Sequence, residues 1–487
     1  MSSRFLRAAL GRHLSLALLA AAAASTAGAG APESPSSPIN PLQKRFLSGK
    51  PLSICDQGAF FVGGVPKVTN YASSSTGTVP QQIIIGQAYV QFQIPSKHRR
   101  WPLIMVHGSS HTGAALDATA DGTEGWLSMS VRNNLATFVM DQPGRGRSGS
   151  DQSVINEAKA RIASGDVAGG LAMLPDIGGI PPSAAWTTWF GHIVPAGADI
   201  ITGTMIRHGD PGDPNPPETN PPSEGHGNYP PAFPIPPVDF SIDPRIAARE
   251  GAIGPAPNPA NNAYLALNYY KQLVPNFEAL LPTSECPTCN PTTIAPDSTW
   301  DGLAMANLVE RLGGAIVSPH SQSGIHLLHM IRILRERGKL HLVKGIIIPE
   351  SAIGLTTFQQ AGVTPQDFDH IPFLLMNGDY RLAGARQGNR EMIAAINASP
   401  GRSVTPAKYV DLDDPAFAGR FLGTTHMNMV GTTAREVFDY ALRWADQNIR
   451  NPIVARSCTG GQDDDDHDDD HGHHGHYEKG DGFGGRR

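Results

Sequence analysis

The sequence predicts an α/β protein: a doubly wound, mostly parallel sheet interrupted by a long Pro-rich insertion. Two observations predict it. Trp101–His107 and Leu135–Asp141 are near-continuous apolar runs, the mark of strands buried on both faces. After residue 300, short apolar runs again alternate with segments of helical period, which is the wiring of a parallel sheet.

The elements follow in order. Ala59–Val62 and Gln82–Gln93 read as a hairpin. Gly125–Asn134 is a short helix between the two buried strands. From about 150 to 300 the alternation breaks down, and eleven prolines in 211–240 exclude a regular helix or central strand there. Only 262–281 resembles an interrupted amphipathic helix. The alternation then resumes with a helix at Asp301–Leu312, a strand at Gly314–Ser318 and a helix at Ser323–Arg337. That helix carries Leu327, Ile331 and Leu334 on one face, ends at Gly338, and has Arg332, Arg335 and Arg337 near the negative end of its dipole. Leu342–Ile348, Ile371–Met376 and Lys408–Leu412 are strands. Thr433 and Glu436 have the spacing of a capping box that opens a last helix, 433–449.

The 487 residues carry 38 Lys+Arg against 44 Asp+Glu, a net charge of −6, all of which resides in 461–487. A body without a basic excess argues against nucleic-acid binding. Arg4, Arg7 and Arg12, the apolar stretch 14–25 and Ala27-Gly28-Ala29 form a secretory signal peptide, too short to span a bilayer. The expected organisation is a signal peptide (1–29), a Pro/Ser-rich segment (30–57), a first core part (58–150), a cap insertion (151–300), a second core part (301–460) and an Asp/His-rich tail (461–487). The mature protein is expected to be secreted, extracellular or periplasmic, and not membrane-bound. Export permits disulfides among Cys55, Cys286, Cys289 and Cys458. In the tail, His467, His471, His473, His474 and His476 can hold a divalent metal weakly, and a solvated acidic tail is the competing reading. No metal site is expected in the core, and no cofactor.

The chemistry concentrates at Pro319-His320-Ser321-Gln322-Ser323-Gly324, where a buried strand turns directly into a helix. A serine on that corner projects its hydroxyl beyond the sheet, and crowding requires small neighbours. Ser321 is therefore the candidate nucleophile, although the strict G-x-S-x-G spacing is not met. Upstream, the strand ending at Val106 runs into His107-Gly108-Ser109-Ser110-His111-Thr112-Gly113. Main-chain N–H groups of Ser109 or Ser110, with that of Gln322, are the candidate oxyanion hole. Asp141-Gln142-Pro143-Gly144-Arg145-Gly146-Arg147-Ser148 is read as a structural turn in which Asp141 anchors the loop.

With these motifs the chain resembles the α/β-hydrolase superfamily over roughly 58–150 and 300–450. More narrowly it resembles a branch of carboxylesterases through HGSSHTG (107–113), DGTEGW (121–126), DQPGRGRS (141–148) and PHSQSG (319–324). Ser109-Ser110 stands where that branch carries adjacent cysteines. The triad order of the fold makes His426 the candidate base. Two carboxylates compete as acid: Asp379, at the usual position of the superfamily, and Glu350, one strand earlier. The carboxylesterase branch implies Glu350. The resemblance implies an esterase that takes a small-molecule ester through an acyl-enzyme. A lipase, lactonase or peptidase on the same fold, or a non-catalytic secreted metal-binding protein, are the alternatives. Trp186, Trp189 and Phe190 are candidates to line a substrate pocket beneath the cap.

Overall fold

The computed structural model describes residues 51–73, 79–118, 124–174, 192–196, 199–206, 272–274, 300–351, 353–378, 383–421, 424–430 and 433–454. All of these belong to one compact unit, Gln43–Arg487.

Strands β1 (Ile54–Thr69) and β2 (Gln81–Pro95) form an antiparallel hairpin, much longer than the apolar stretches that announce it. β3 (His98–Arg99) leads into β4 (Leu103–Val106), α1 (Ala114–Asp117), α2 (Trp126–Arg132) and β5 (Thr137–Met140). Two helices, α3 (Gln152–Ala163) and α4 (Val167–Met173), and a hairpin of β6 (His192–Ala196) with β7 (Asp199–Ile206) follow. Regular structure is thus present where the sequence shows no alternation. Asp151 and Asp166 cap the two helices, and Asp151 also pairs with Lys67 of β1 at 2.6 Å.

The chain continues as α5 (Trp300–Arg311), β8 (Ala315–Pro319), α6 (Ser323–Glu336), β9 (Val343–Pro349), α7 (Leu355–Ala361), β10 (Phe373–Asn377), α8 (Ala383–Asn397), β11 (Lys408–Asp411), α9 (Ala434–Asn448) and β12 (Ile453–Val454). The main sheet has eight strands in the order β1-β2-β5-β4-β8-β9-β10-β11. β1, β2 and β5 run antiparallel to their neighbours in turn, and β5 to β11 are parallel. β12 pairs with β3, antiparallel.

Helices cover both faces. Ile104, Val106, Val317, Ile346 and Ile348 pack with Leu308 of α5 and Leu327, Ile331 and Leu334 of α6. Met105, Val139, Ile316 and Leu374 pack with Trp126 of α2 and Phe438 and Trp444 of α9. Every residue of β4, β5 and β8 is buried, which is why these strands read as unbroken apolar runs rather than alternating ones.

The capping box expected at Thr433 does not form. Thr433 precedes α9 without a side-chain cap bond, because its hydroxyl lies 2.8 Å from that of Thr424 and is engaged there. Among the described residues, no helix is long and apolar enough to cross a membrane.

Candidate active site

The carboxyl ends of β4, β5, β8, β9 and β10 are neighbours in the sheet, so the loops leaving them meet at one edge. This is where open parallel sheets place their sites.

After β8 only His320, Ser321 and Gln322 precede the first turn of α6. The corner is tight enough to force Ser321 to φ 54, a left-handed conformation that L-residues avoid. Ser321 N–H donates to the Glu350 carbonyl at 2.7 Å, and Gly324 N–H closes the turn on the Ser321 carbonyl at 3.0 Å. Pro319 gives the strand no N–H at its end, and His320 supplies the next one, bonding the Val106 carbonyl at 2.9 Å. Gly108 and Gly324 are close approaches. A Cβ on Gly108 would lie 2.8 Å from Ser321 Cβ, and one on Gly324 would lie 2.1 Å from Ser351 Oγ. Ser323 stands where the strict motif has glycine. Its hydroxyl donates to the His107 carbonyl at 2.6 Å and accepts from Gln142 Nε2 at 2.8 Å.

The chain brings Ser321, His426 and Glu350 together in one line. Ser321 Oγ is 2.9 Å from His426 Nε2, and His426 Nδ1 is 2.7 Å from Glu350 Oε1. The other Glu350 oxygen accepts from the Gly378 N–H at 2.7 Å. Glu350 is 1% exposed and His426 7%. An ionised carboxylate only accepts, so Nδ1 carries the hydrogen and Nε2 presents its lone pair to the serine hydroxyl. Glu350 also sits at positive φ, 68, at the end of β9, which swings its side chain towards the His426 loop. The competing acid, Asp379, lies outside the described residues, as do Trp186, Trp189, Phe190 and the tail histidines 467, 471, 473, 474 and 476.

In the loop after β4, His107 Nδ1–H donates to the Gly108 carbonyl at 2.8 Å, and His111 Nδ1–H donates to the Ser109 carbonyl at 2.5 Å. The Ser110 carbonyl accepts from Val274 N–H at 2.9 Å, and Ser110 is held at φ 62. In a trans peptide the N–H points opposite the carbonyl. Tying the carbonyls back therefore frees the N–H groups. Among the described residues, the N–H groups of Ser109, Ser110 and Gln322 donate to no protein acceptor. Burial pushes the His107 pKa down to about 4, so that imidazole is neutral, and its Nε2 accepts from the Gln142 N–H at 3.0 Å.

The turn after β5 is anchored as expected. Asp141 accepts from the N–H groups of Gly113 and Arg147 and from the Arg147 guanidinium, at 2.7–3.0 Å. Burial raises its pKa, but these partners outweigh that and hold it below the ordinary carboxylate value. The same turn supplies two residues that sequence reasoning left without a role. Gln142 bridges the His107 carbonyl and Ser323, and its Oε1 accepts from Arg145 Nε at 2.8 Å. Arg145 is 5% exposed and also donates to the Val274 carbonyl at 3.1 Å. Burial lowers its pKa to about 10. The D-Q-x-G-R spacing marks the turn, but nothing local says that a segment of the insertion will land on it.

No family model matches the sequence, and no curated protein matches it. Among solved structures, the fold is similar to one described as a novel bacterial esterase, with a TM-score of 0.55 and 24% identity over 82% of this chain and 98% of that one. The chain has the α/β-hydrolase fold. A thioesterase domain from the curacin biosynthetic pathway also matches, with a TM-score of 0.24 and 11% identity over 78% of this chain and 99% of that one. In α/β-hydrolase terms, Ser321 stands on the elbow after the central strand, and His426 on the loop between the last strand of the sheet and the last helix. Glu350 follows the strand next to the elbow strand, and Asp379 follows the one beyond it.

Proposed function

We propose that the protein is a serine hydrolase of carboxylic esters, resembling the carboxylesterase branch that shares its four motifs. One observation carries the reading: an unbroken line of hydrogen bonds from Ser321 through His426 to Glu350, with the serine on a left-handed elbow. His426 takes the Ser321 proton as the oxygen attacks the ester carbonyl. Glu350 holds the imidazole in its reactive tautomer and stabilises the imidazolium. The N–H groups of Ser109 or Ser110, with that of Gln322, bind the oxyanion. His426 then protonates the leaving alcohol, and water attacks the acyl-enzyme by the same route to release the acid and restore Ser321. The bacterial esterase of similar fold supports an ester over an amide substrate. Trp186, Trp189 and Phe190 would line the acyl pocket.

Export belongs to the same proposal. It rests on the N-terminal segment and on Cys55, which is disulfide-bonded. The Asp/His-rich tail is proposed as a solvated appendage with weak affinity for divalent metal.

The experiment is turnover of short-chain p-nitrophenyl esters by wild type and Ser321→Ala, with a fluorophosphonate probe as readout of the nucleophile. Ser321→Ala should lose at least about 10³-fold in kcat and all labelling. Retention of activity would show that the chemistry lies elsewhere.

A further inference from the structure

His320 has no place in the reaction derived so far, yet it sits at its centre. It is 2% exposed, and its ring centroid lies 4.9 Å from that of His426. Its Nε2 is 2.9 Å from the main-chain carbonyl of His426. A carbonyl can only accept, so His320 is the Nε2–H tautomer and its Nδ1 is a bare lone pair. That lone pair has no hydrogen-bond partner among the described residues. Gly108 packs against it, where a Cβ would approach within 2.7 Å.

We propose that His320 is a positioning residue: it clamps the backbone of the general base to the nucleophile elbow. This rests on the reading of Ser321, His426 and Glu350 as the triad. The clamp closes a short ring. Ser321 is bonded covalently to His320, His320 holds the His426 carbonyl, and the His426 ring returns to Ser321 Oγ. The ring fixes where the base lies relative to the hydroxyl it must deprotonate, and small displacements of such a pair cost heavily.

The clamp must also not compete for the proton. Two imidazoles this close cannot both be charged, and only one of them lies on the proton's path. His320 faces His107, His111, His426 and Glu350. Burial first, and the neighbouring His426 second, bring its pKa down to about 3. No acceptor among the described residues faces Nδ1 to receive a second hydrogen. The proton taken from Ser321 therefore stays on His426.

Two near-isosteric amides test the clamp. Glutamine carries its side-chain nitrogen at the reach of Nε2, whereas asparagine stops short, at that of Nδ1. His320→Gln should stay within about 3-fold of wild type in kcat. His320→Asn should lose about 10- to 100-fold in kcat with KM unchanged, the worth of one buried hydrogen bond to the base. The low-field proton resonance of His426 Nδ1–H should persist in wild type, Ser321→Ala and His320→Gln, and broaden in His320→Asn. Equal kcat values for the two amides, or an intact resonance in His320→Asn, would overturn the clamp. Should His320→Asn fail to fold, imidazole ¹⁵N spectra of wild type decide. His320 must appear as Nε2–H and stay neutral down to about pH 5; an ordinary titration near pH 6.5 refutes the proposal. Activity in Ser321→Ala would instead refute the triad, whatever His320 does.

Discussion

The turn after β5 and the turns after β4, β8 and β9 leave the same edge of the sheet, and each needs left-handed backbone. They meet that need differently. The β5 turn places glycine at φ 79, 49 and 70, at Gly144, Gly146 and Gly149. The other three place Ser110, Ser321 and Glu350 at φ 62, 54 and 68. A non-glycine residue there costs roughly 1–2 kcal/mol. A turn that only reverses the chain can use glycine and avoid that cost. A turn that must aim a hydroxyl, a carboxylate or an N–H at a common point tolerates the strain, because the aim comes from the strained conformation.

The two buried carboxylates repeat the contrast. Asp141 is saturated by a guanidinium and two main-chain N–H groups, none of which can take its place in proton traffic. Glu350 accepts from the Gly378 N–H and pairs with the His426 imidazole, which in the proposed reaction carries the proton of Ser321. Glu350→Gln should therefore cost about 10³- to 10⁴-fold in kcat while moving the unfolding midpoint little. Asp141→Asn should do the reverse. It should destabilise by about 2–3 kcal/mol, below the range for fully buried pairs because Arg147 is partly exposed, with kcat of the folded enzyme within about 10-fold. Steady-state kinetics and urea titrations on both variants check this, and the opposite ranking would exchange the two assignments.

Much of this arrangement was legible in the sequence. The buried strands, the elbow at Ser321 and the position of His426 follow from local apolar runs and from chain order. In the sequence, Glu350 is preferred to Asp379 only through the family resemblance, because the choice depends on which strand end faces the His426 loop, which no local pattern reveals. The false capping box at Thr433 has the same origin: Thr424, nine residues away, takes the hydroxyl. Gln142, Arg145 and His320 were missed because each acts through a partner distant in sequence. Their bonds to Ser323, Val274 and His426 span 181, 129 and 106 residues. The helices in 152–173 were hidden by composition, since glycine and alanine give them only a weak apolar period.

Acid should expose the site's neutral histidines next. His107 and His320 have folded pKa values of about 4 and about 3, against 6.5 for a free imidazole. Both are depressed, so the unfolded chain binds more protons between these limits. The contribution of each is complete above about pH 6.5 and falls towards pH 4 by about 1.4 kcal/mol per pH unit. His111 and His326, also depressed by burial, act in the same direction, and Asp117 and Asp301, raised by burial to about 6 and about 7, act against it. Asp141, also depressed, adds to the loss only below its unfolded value of 3.8. The difference between the denaturant midpoints of wild type and His320→Gln at pH 7, 6 and 5 isolates one histidine's share, and the variant's slope should be shallower by one proton. An unchanged slope in that variant would mean that His320 is not held neutral by the fold.

The smallest effect calibrates the comparison itself. Gly313 and Gly338 sit at φ 67 and 68, and a Cβ on either would meet nothing within 4 Å. Alanine at these positions adds only the left-handed conformation, without a clash, and should destabilise by about 1 kcal/mol each. The converse is Ser321→Gly, which removes the same strain from the elbow. Its gain should be smaller, a few tenths of a kcal/mol, because glycine also loosens the unfolded chain. An inactive Ser321→Gly that is slightly more stable than Ser321→Ala would show that the elbow stores strain for the sake of its aim. If Ser321→Gly is instead the less stable of the two, the surrounding contacts, Ser351 and Gly108 among them, hold the corner without strain, and the contrast between glycine and reactive turns loses its energetic meaning.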